Sequence, residues 1–416
     1  MRSTRVWKQL LGVEHTVIEQ VDLEGEGVEA VLVAKVRPTR SRRSRCSRCG
    51  RRCSGYDQGR GSRRWRTLDL GSTRAYLEAG APRVRCREHG VVVAEVPWAR
   101  PDAWFTRAFE DSCAWLAAHA AASTVAELLQ VTWRTVTSIV SRVVADAMGS
   151  RDLLDGLRRI GIDELAHRKG QRYITAVVDH DTGHLVWAAE GRNEAVVEKF
   201  FDQLGDERAR LLTHVSADGA EWIHIPVKHR APQATICLDA FHVVKWATDA
   251  LDAVRRGMWN DLRRSGQNEQ AAKLKGTRWA LLKNPHSLTA SQRSGLARVQ
   301  RTNAGLYRAW LLKEQLRLVF AEKGDEGRAL LAGWLAWAKR SKIPEFEKLA
   351  ATIERYRLLI WNTLDHGLSN ARSEATNTHL RVLTRRSYGF HSPDALIAMA
   401  MLTRGGLCPT LPGRAP

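Results

Sequence analysis

The sequence lacks any apolar run long enough to cross a bilayer. Its longest, within Asp394–Thr403, holds about eight apolar residues, against the roughly 18 that a spanning helix needs. The opening stretch MRSTRVWKQLLGVEH carries no secretory apolar core, so neither a membrane protein nor an exported one is expected. Cysteine is sparse and odd in number. There are seven, four of them before residue 90, which fits a reducing compartment and a metal site better than a disulfide framework. No internal repeat is present. Acids are in short supply: 45 Asp and Glu face 65 Lys and Arg, for a net charge of +20. From Arg37 to Arg66 a single acid, Asp57, stands among 12 arginines. So dense a cationic stretch repels itself unless a polyanion neutralises it, and phosphate backbones are the commonest such partner. A generally Arg-rich chain would instead spread its arginines evenly.

What is present is globular material. Apolar residues make up 44% and charged residues 26% of 416, enough at about 150 residues per domain for two to four domains. Residues 1–100 read as a β-rich domain, with strands expected at 30–36, 64–70, 74–80 and 91–97 between Gly, Pro and Ser. Residues 101–150 turn helical. Residues 155–245 alternate strand and helix, residues 246–365 are long and helical with few Gly or Pro, and residues 366–405 form one or two helices.

Cys46-Ser-Arg-Cys49 and Cys86-Arg-Glu-His89 are two knuckles about 36 residues apart. A CxxC turn presents two thiolates to one ion, and a CxxH turn can complete a tetrahedron with an imidazole, so structural Zn2+ is expected. A β module this small gains much of its folding energy from the metal. Cys53 is either a spare thiol or an alternative ligand. The surrounding Arg42, Arg43 and Arg45 are candidate DNA contacts.

Residues 123–144 read as two short helices around a break. Ser123 or Thr124 is expected to cap the first, with Val125, Leu128 and Leu129 as its buried face. Thr132 caps the second, whose stripe is Val136, Ile139, Val140 and Val143. Trp133, Arg134 and Thr135 then fall on the outer face, where such types suit phosphate and base-edge contacts in a major groove. An ordinary helical hairpin is the plainer reading; the adjacent basic zinc module favours a helix-turn-helix.

From residue 157 the order is β-β-β-α-β-α-β, the pattern of a ribonuclease-H-like core. LRRIGID brings a first strand to Asp163, a hairpin turns at Asp181-Thr182-Gly183, NEAVVEKFFDQL is an amphipathic helix, and later strands end at Asp218 and Asp239. A third acid, Glu374, begins a late helix. Each acid alone reads as a turn former or a first-turn helix acid. Asp179 is expected to be structural, and Glu164 to be a surface or supporting group. Jointly placed, Asp163, Asp218 and Glu374 suit two Mg2+ ions, with Mn2+ as a substitute, because phosphodiester transfer needs hard oxygen ligands and charge neutralisation.

The chain resembles DDE transposases of the ISL-three insertion-sequence family over nearly its whole length. The residues that carry the resemblance include Ile160-Gly161-Ile162-Asp163-Glu164, His167-Arg168-Lys169-Gly170, Asp239-Ala240-Phe241-His242-Val243-Val244-Lys245, Leu274-Lys275-Gly276-Thr277-Arg278-Trp279, Leu368-Ser369-Asn370, Glu374-Ala375-Thr376-Asn377 and Arg385-Arg386-Ser387-Tyr388-Gly389-Phe390. The resemblance implies a multidomain α+β protein: zinc ribbon, helix-turn-helix, and a ribonuclease-H-like catalytic core interrupted by an all-α insertion that grips DNA near the cleavage point. It places the catalytic triad on Asp163, Asp218 and Glu374 and gives His242 a supporting role at the scissile phosphate or the metal site. Lys275 and Arg278 are candidate phosphate contacts in the insertion, which also carries seven of the 15 tryptophans. Two segments depart from the family's pattern: Ala217-Asp218-Gly219-Ala220, where many relatives are aromatic or Met-rich, and Ser373-Glu374-Ala375 in place of Val-Glu-Gly. The implied function is cleavage and rejoining of element ends by a homodimer or larger assembly on double-stranded DNA, in a bacterial cytoplasm at the nucleoid. A sequence-specific regulator or domesticated transposase with an inactive core is the alternative. A general nuclease ranks behind both, since it leaves the recognition modules unexplained.

Overall fold

Period-two alternation shapes the first sheet. Along Arg74–Gly80 the side chains of Ala75, Leu77 and Ala79 are buried while Arg74 is exposed, as a half-buried strand requires. The computed structural model describes residues 2–168, 172–368, 371–386, 390 and 392–414; within them, the side chains of residues 2–4, 28, 167–168, 172, 371–374, 377 and 386 are outside the described set. The chain divides into two compact units, residues 1–153 with 382–416, and residues 154–381.

The first unit opens with α1 (Arg2–Leu10), β1 (Thr16–Glu24) and β2 (Val31–Pro38), then β3 (Ser54–Asp57), β4 (Ser62–Arg66), β5 (Arg74–Gly80), β6 (Arg83–Cys86) and β7 (Gly90–Val93). One sheet runs β1-β2-β5-β4 and a second β3-β6-β7. In the first sheet β2 and β5 are parallel and the other pairs antiparallel. Its core joins Ile18, Val36, Leu77 and Trp98 around Trp65, and the two indoles meet edge to face at 5.6 Å. The second sheet is antiparallel throughout. The expected strands at 30–36 and 74–80 are present. Strand β3, fully exposed along Ser-Gly-Tyr-Asp, has no alternation for a sequence reading to detect.

Three helices follow: α2 (Arg107–His119), α3 (Ala122–Leu128) and α4 (Trp133–Ser150). Thr132 caps α4 as expected, its hydroxyl accepting from the Thr135 N–H. The expected cap of α3 is not observed. That helix starts from Ala121 without a side-chain cap, and Ser123 and Thr124 lie inside its first turn. Its buried face is also narrower than expected. Val125 is buried, Leu128 is 63% exposed and Leu129 is half-buried, because the helix stops after two turns and Gln130 adopts a left-handed φ of 50°. The α4 stripe of Val136, Ile139, Val140 and Val143 is buried.

The second unit contains β8 (Arg159–Arg168), β9 (Arg172–Asp179), β10 (Leu185–Glu190), α5 (Glu194–Leu204), α6 (Asp206–Ala209), β11 (His214–Ala217), α7 (Glu221–Arg230) and β12 (Thr235–Leu238). The sheet order is β10-β9-β8-β11-β12, with β8, β11 and β12 parallel and the other pairs antiparallel. Asp179 accepts from the N–H groups of Asp181 and Thr182 and from the Thr182 hydroxyl; it holds the hairpin turn, as expected. Asn193 caps α5.

Then come α8 (Ala240–Arg264), α9 (Asn268–Gly276), α10 (Arg278–Leu282), α11 (Ala290–Thr302), α12 (Ala304–Val319), α13 (Gly324–Lys339), α14 (Pro344–Arg355) and α15 (Arg357–His366). Helix α8 is continuous from residue 240. Helix α15 packs on β12, where Thr363 Oγ1 donates to Leu238 O at 2.6 Å and Asn362 Nδ2 to Ile236 O at 2.8 Å. One apolar cluster accordingly runs from Leu238 through Val243, Leu251, Trp334 and Phe346 to Leu364. The last helices are α16 (Ala371–Arg386) and α17 (Pro393–Arg404). Helix α17 packs against α2 and α4 in the first unit. No helix among the described residues is long and apolar enough to cross a membrane.

Candidate functional site

The two knuckles meet. Cys46, Cys49, Cys86 and His89 bring their ligand atoms all within 4.8 Å of one another. Cys46 Sγ lies 3.8 Å and Cys86 Sγ 3.6 Å from His89 Nδ1, and Cys49 Sγ lies 3.7 Å from Cys86 Sγ. Backbone N–H groups, that of His89 foremost, pull the Cys86 thiol down to about 6, which favours the thiolate that zinc binds. Three soft thiols and one imidazole at this spacing fit Zn2+. Cys53 stays outside the set, with its thiol on Arg51 O at 3.3 Å. Of the arginines expected on DNA, Arg45 has donors on Ser41 O and Gly50 O and so braces the first knuckle. Arg42 lies 3.8 Å from Glu95, and Arg43 is exposed with its Nε on Pro38 O.

On α4, Trp133 and Arg134 are exposed and stacked at 5.3 Å, beside a half-buried Thr135. The fold behind them is held by ions. Arg100 is 7% exposed and bonds Glu110, Asp111 and Asp146, while Arg142 also bonds the fully buried Glu110. Arg66 reaches Gln130 O in the turn between α3 and α4.

The acids converge through strand register. Gly161 of β8 is level with Ser216 of β11, and Ala217 of β11 with Leu238 of β12. Continuing each pairing puts Asp163, Asp218 and Asp239 on one rung, at the carboxyl ends of the parallel strands. The expected strand end at Asp163 is corrected here: β8 runs on to Arg168, and Asp163 marks where its parallel partner stops. Burial pushes the Asp163 carboxyl up to about 6, against the downward pull of the Glu164 N–H and His242; Asp239 and Asp218 add to the rise. Asp218 accepts from the Ala220 N–H at 3.0 Å. Gly219 beside it is hemmed in by Trp246 and Tyr356, whose hydroxyl donates to Gly219 O at 3.0 Å. The small residues around Asp218 thus fit under two rings. Asp239 is 3% exposed, caps α8 through the Phe241 N–H, and lies 3.7 Å from His242 Nε2.

Glu164 is not a surface group. Its side chain is 15% exposed and holds Arg192 at 2.8 Å. Burial first, and then Asp218, push it up to about 7. An aspartate at a strand end followed by a small residue is visible in the sequence at Asp218 and Asp239; the common rung with Asp163 is not, because it depends on two non-local registers. Glu374 lies in the first turn of α16, but its side chain falls outside the described residues, as do Lys169, Gly170, Ser369, Asn370 and residues 387–389. In the helical region Lys275 is exposed, and Arg278 lies over the 56%-exposed Trp279 at 5.2 Å. By contrast Trp334 is core, fully buried and donating to Leu312 O.

Comparison with known proteins bears on all of these regions. Residues 160–400 match a family model described as a transposase. Residues 42–89 match the zinc-finger of transposase IS204/IS1001/IS1096/IS1165, and residues 94–144 the helix-turn-helix domain of transposase family ISL3. The transposase for insertion sequence element IS1557, from two strains of Mycobacterium tuberculosis, is 51% identical over 436 aligned residues, covering 100% of this chain and 98% of the relative. The transposase for insertion sequence element IS1001 of Bordetella parapertussis is 27% identical over 336 residues, 80% of this chain and 82% of the relative.

Proposed function

The chain belongs to the ISL3 family of insertion-sequence transposases, and from that premise we propose that it binds the terminal inverted repeats of its element and catalyses Mg2+-dependent cleavage and transfer of the DNA strands. The observation that carries the reading is the common rung of Asp163 and Asp218 at the end of the parallel strands. Strand order β10-β9-β8-β11-β12 and the long helical segment after β12 support a ribonuclease-H-like core with an all-α insertion. The zinc ribbon and helix-turn-helix serve as the recognition modules.

The acids fit hard divalent cations. Their oxygens are the ligand type Mg2+ prefers, and burial first, with Asp239 and Asp218 adding, raises Asp163. Asp163, Asp218 and Glu374 would hold two ions, which when bound neutralise the phosphate and align the attacking and leaving oxygens. The chain's own residues then do the rest. His242 contacts the scissile phosphate from the start of α8, held by Asp239. Glu164 and Arg192 fix the strand that carries Asp163. Trp246 and Tyr356 set the loop that carries Asp218. Trp133, Arg134 and Thr135 read base edges, while Arg42, Arg43, Lys275 and Arg278 contact phosphates. Two ends must be held together for strand transfer, so the working form is a homodimer or larger assembly.

The test is cleavage of labelled element ends by purified protein in Mg2+ or Mn2+. Nicking by wild type and none by Asp163→Ala, Asp218→Ala or Glu374→Ala is expected. Equal nicking by wild type and Asp163→Ala would overturn the assignment. Specific binding without any nicking would instead favour a DNA-binding regulator.

A further inference from the structure

A cleft of about 510 Å3 lies in the first unit between the first zinc knuckle and the segment leading into α2. Five arginines line it. Three of them have acid partners: Arg100 and Arg107 bond Asp146, and Arg42 lies 3.8 Å from Glu95. Arg48 and Arg63 have no carboxylate within ion-pair reach among the described residues. Asp102 is the remaining acid in the lining, so the cleft keeps a positive excess.

Arg63 is built into the site. Its guanidinium lies 4.0 Å from the ring centre of Trp104 and 5.1 Å from that of Trp65. Its Nη2 donates to Ala103 O at 2.6 Å, and its Nε is buried without a partner. Trp65 is 1% exposed, whereas Trp104 is 63% exposed. A planar cation fixed between two rings loses little freedom when it takes an anion. Trp104, next in sequence to the lining residue Ala103, is an exposed indole against that cation. Arg48 extends from inside the Cys46–Cys49 turn, which any bound zinc would hold fixed.

We propose that this cleft grips the sugar–phosphate backbone of duplex DNA, with Arg48 and Arg63 each on a phosphodiester and Trp104 packed against the neighbouring deoxyribose. The proposal rests on the DNA-binding reading above and adds a division of labour. The cleft positions the duplex without reading it, and α4 reads sequence. Free phosphate shares the chemistry, but two cations outside any close ion pair, with Asp102 acting on Arg63 only at longer range, suit an extended polyanion better beside an exposed ring.

The test uses the full-length zinc-loaded protein and fluorescence anisotropy on two labelled duplexes, the terminal repeat and a scrambled one of equal length, between 50 and 200 mM NaCl. Arg48→Gln and Arg63→Gln are each expected to weaken both duplexes by the same factor. Each should lower the slope of log affinity against log salt by about one, so that the affinity lost between the two salt concentrations shrinks about threefold. Trp104→Ala should weaken both duplexes with the slope unchanged. Arg48 is exposed, so its variant retains the fold if Arg63→Gln does not; zinc content and Tm check both. An unchanged slope and affinity in the double variant would overturn the proposal. So would a loss confined to the terminal repeat, which would make the cleft a base reader. Stabilisation by inorganic phosphate with unaltered DNA binding in the variants would make it a small-anion site and overturn it too. Failure of wild type to prefer the terminal repeat would sink the family-based reading; the cleft is still judged on the scrambled duplex.

Discussion

At the scale of single residues, the acids beside Asp163 carry opposing demands. Burial and mutual repulsion favour their neutral forms, with Asp163 near 6 and Glu164 near 7. A carboxyl raised in the fold destabilises the metal-free protein above its folded pKa, and that penalty fades as pH falls below it. Metal-free protein should therefore gain stability from these groups between pH 8 and pH 5. Divalent cations compete with those protons, so the Tm increase on adding Mg2+ should be larger at pH 8 than at pH 5.5; the reverse order would contradict the site. Asp163→Asn removes one buried charge and one ligand. It should cut cleavage on the order of a thousandfold or more while leaving DNA affinity within about twofold and metal-free Tm no lower than wild type. A large drop in Tm would mean that Asp163 is a structural group. Asp218 and Asp239 are legible in the sequence because each closes a strand and is followed by a small residue, and Asp163 because an apolar strand leads into it. The role of Glu164 is not, since it depends on a partner, Arg192, that only the fold brings to it.

At the scale of elements, the zinc ribbon and the helix-turn-helix are held by different forces. The β3-β6-β7 sheet has short strands, one of them wholly exposed, and buries little beyond Val84 and its cysteines. Bound zinc would supply most of its folding energy, so Cys86→Ser should release the metal and melt this sheet, read as loss of equimolar zinc and of β signal in circular dichroism. A variant that stays folded and zinc-free would refute that role. The helix-turn-helix instead depends on Arg100. Removing it leaves Glu110, fully buried, with Arg142 as its remaining ion partner, releases Asp111, and leaves Asp146 to Arg107. Arg100→Ala should cost roughly 3–5 kcal/mol, measured by urea unfolding; a loss under about 1 kcal/mol would show the network to be dispensable. The knuckles and the α4 stripe are legible because their spacing is local. The cap and buried face of α3 are misjudged from sequence because a two-turn helix offers too few positions for period to fix its start. Arg100 gives no signal, since its three partners lie 10, 11 and 46 residues away.

At the scale of the whole molecule, the chain order of the modules differs from their packing order. Residues read in sequence as the tail of the catalytic core include α17, whose Leu396, Met399 and Leu402 are buried and which packs on α4 and α2. Helix α4 of the helix-turn-helix therefore rests on a segment about 250 residues downstream, with Arg151 also donating to Gly406 O across a sequence gap of 255. Periodicity identifies such a helix but cannot say what it packs against. The arrangement has an energetic consequence. A core leucine cut to alanine typically costs 2–5 kcal/mol, and here the loss falls on the module that reads DNA. Leu396→Ala in the full-length protein should speed amide hydrogen exchange along α4 and weaken terminal-repeat binding, even though the residue lies nearly 250 positions beyond the helix-turn-helix. Amides of β8 and β11 should keep wild-type protection. Uniform loss of protection across both units would mean that they unfold as one, and unaltered exchange in α4 would mean that α17 does not support it.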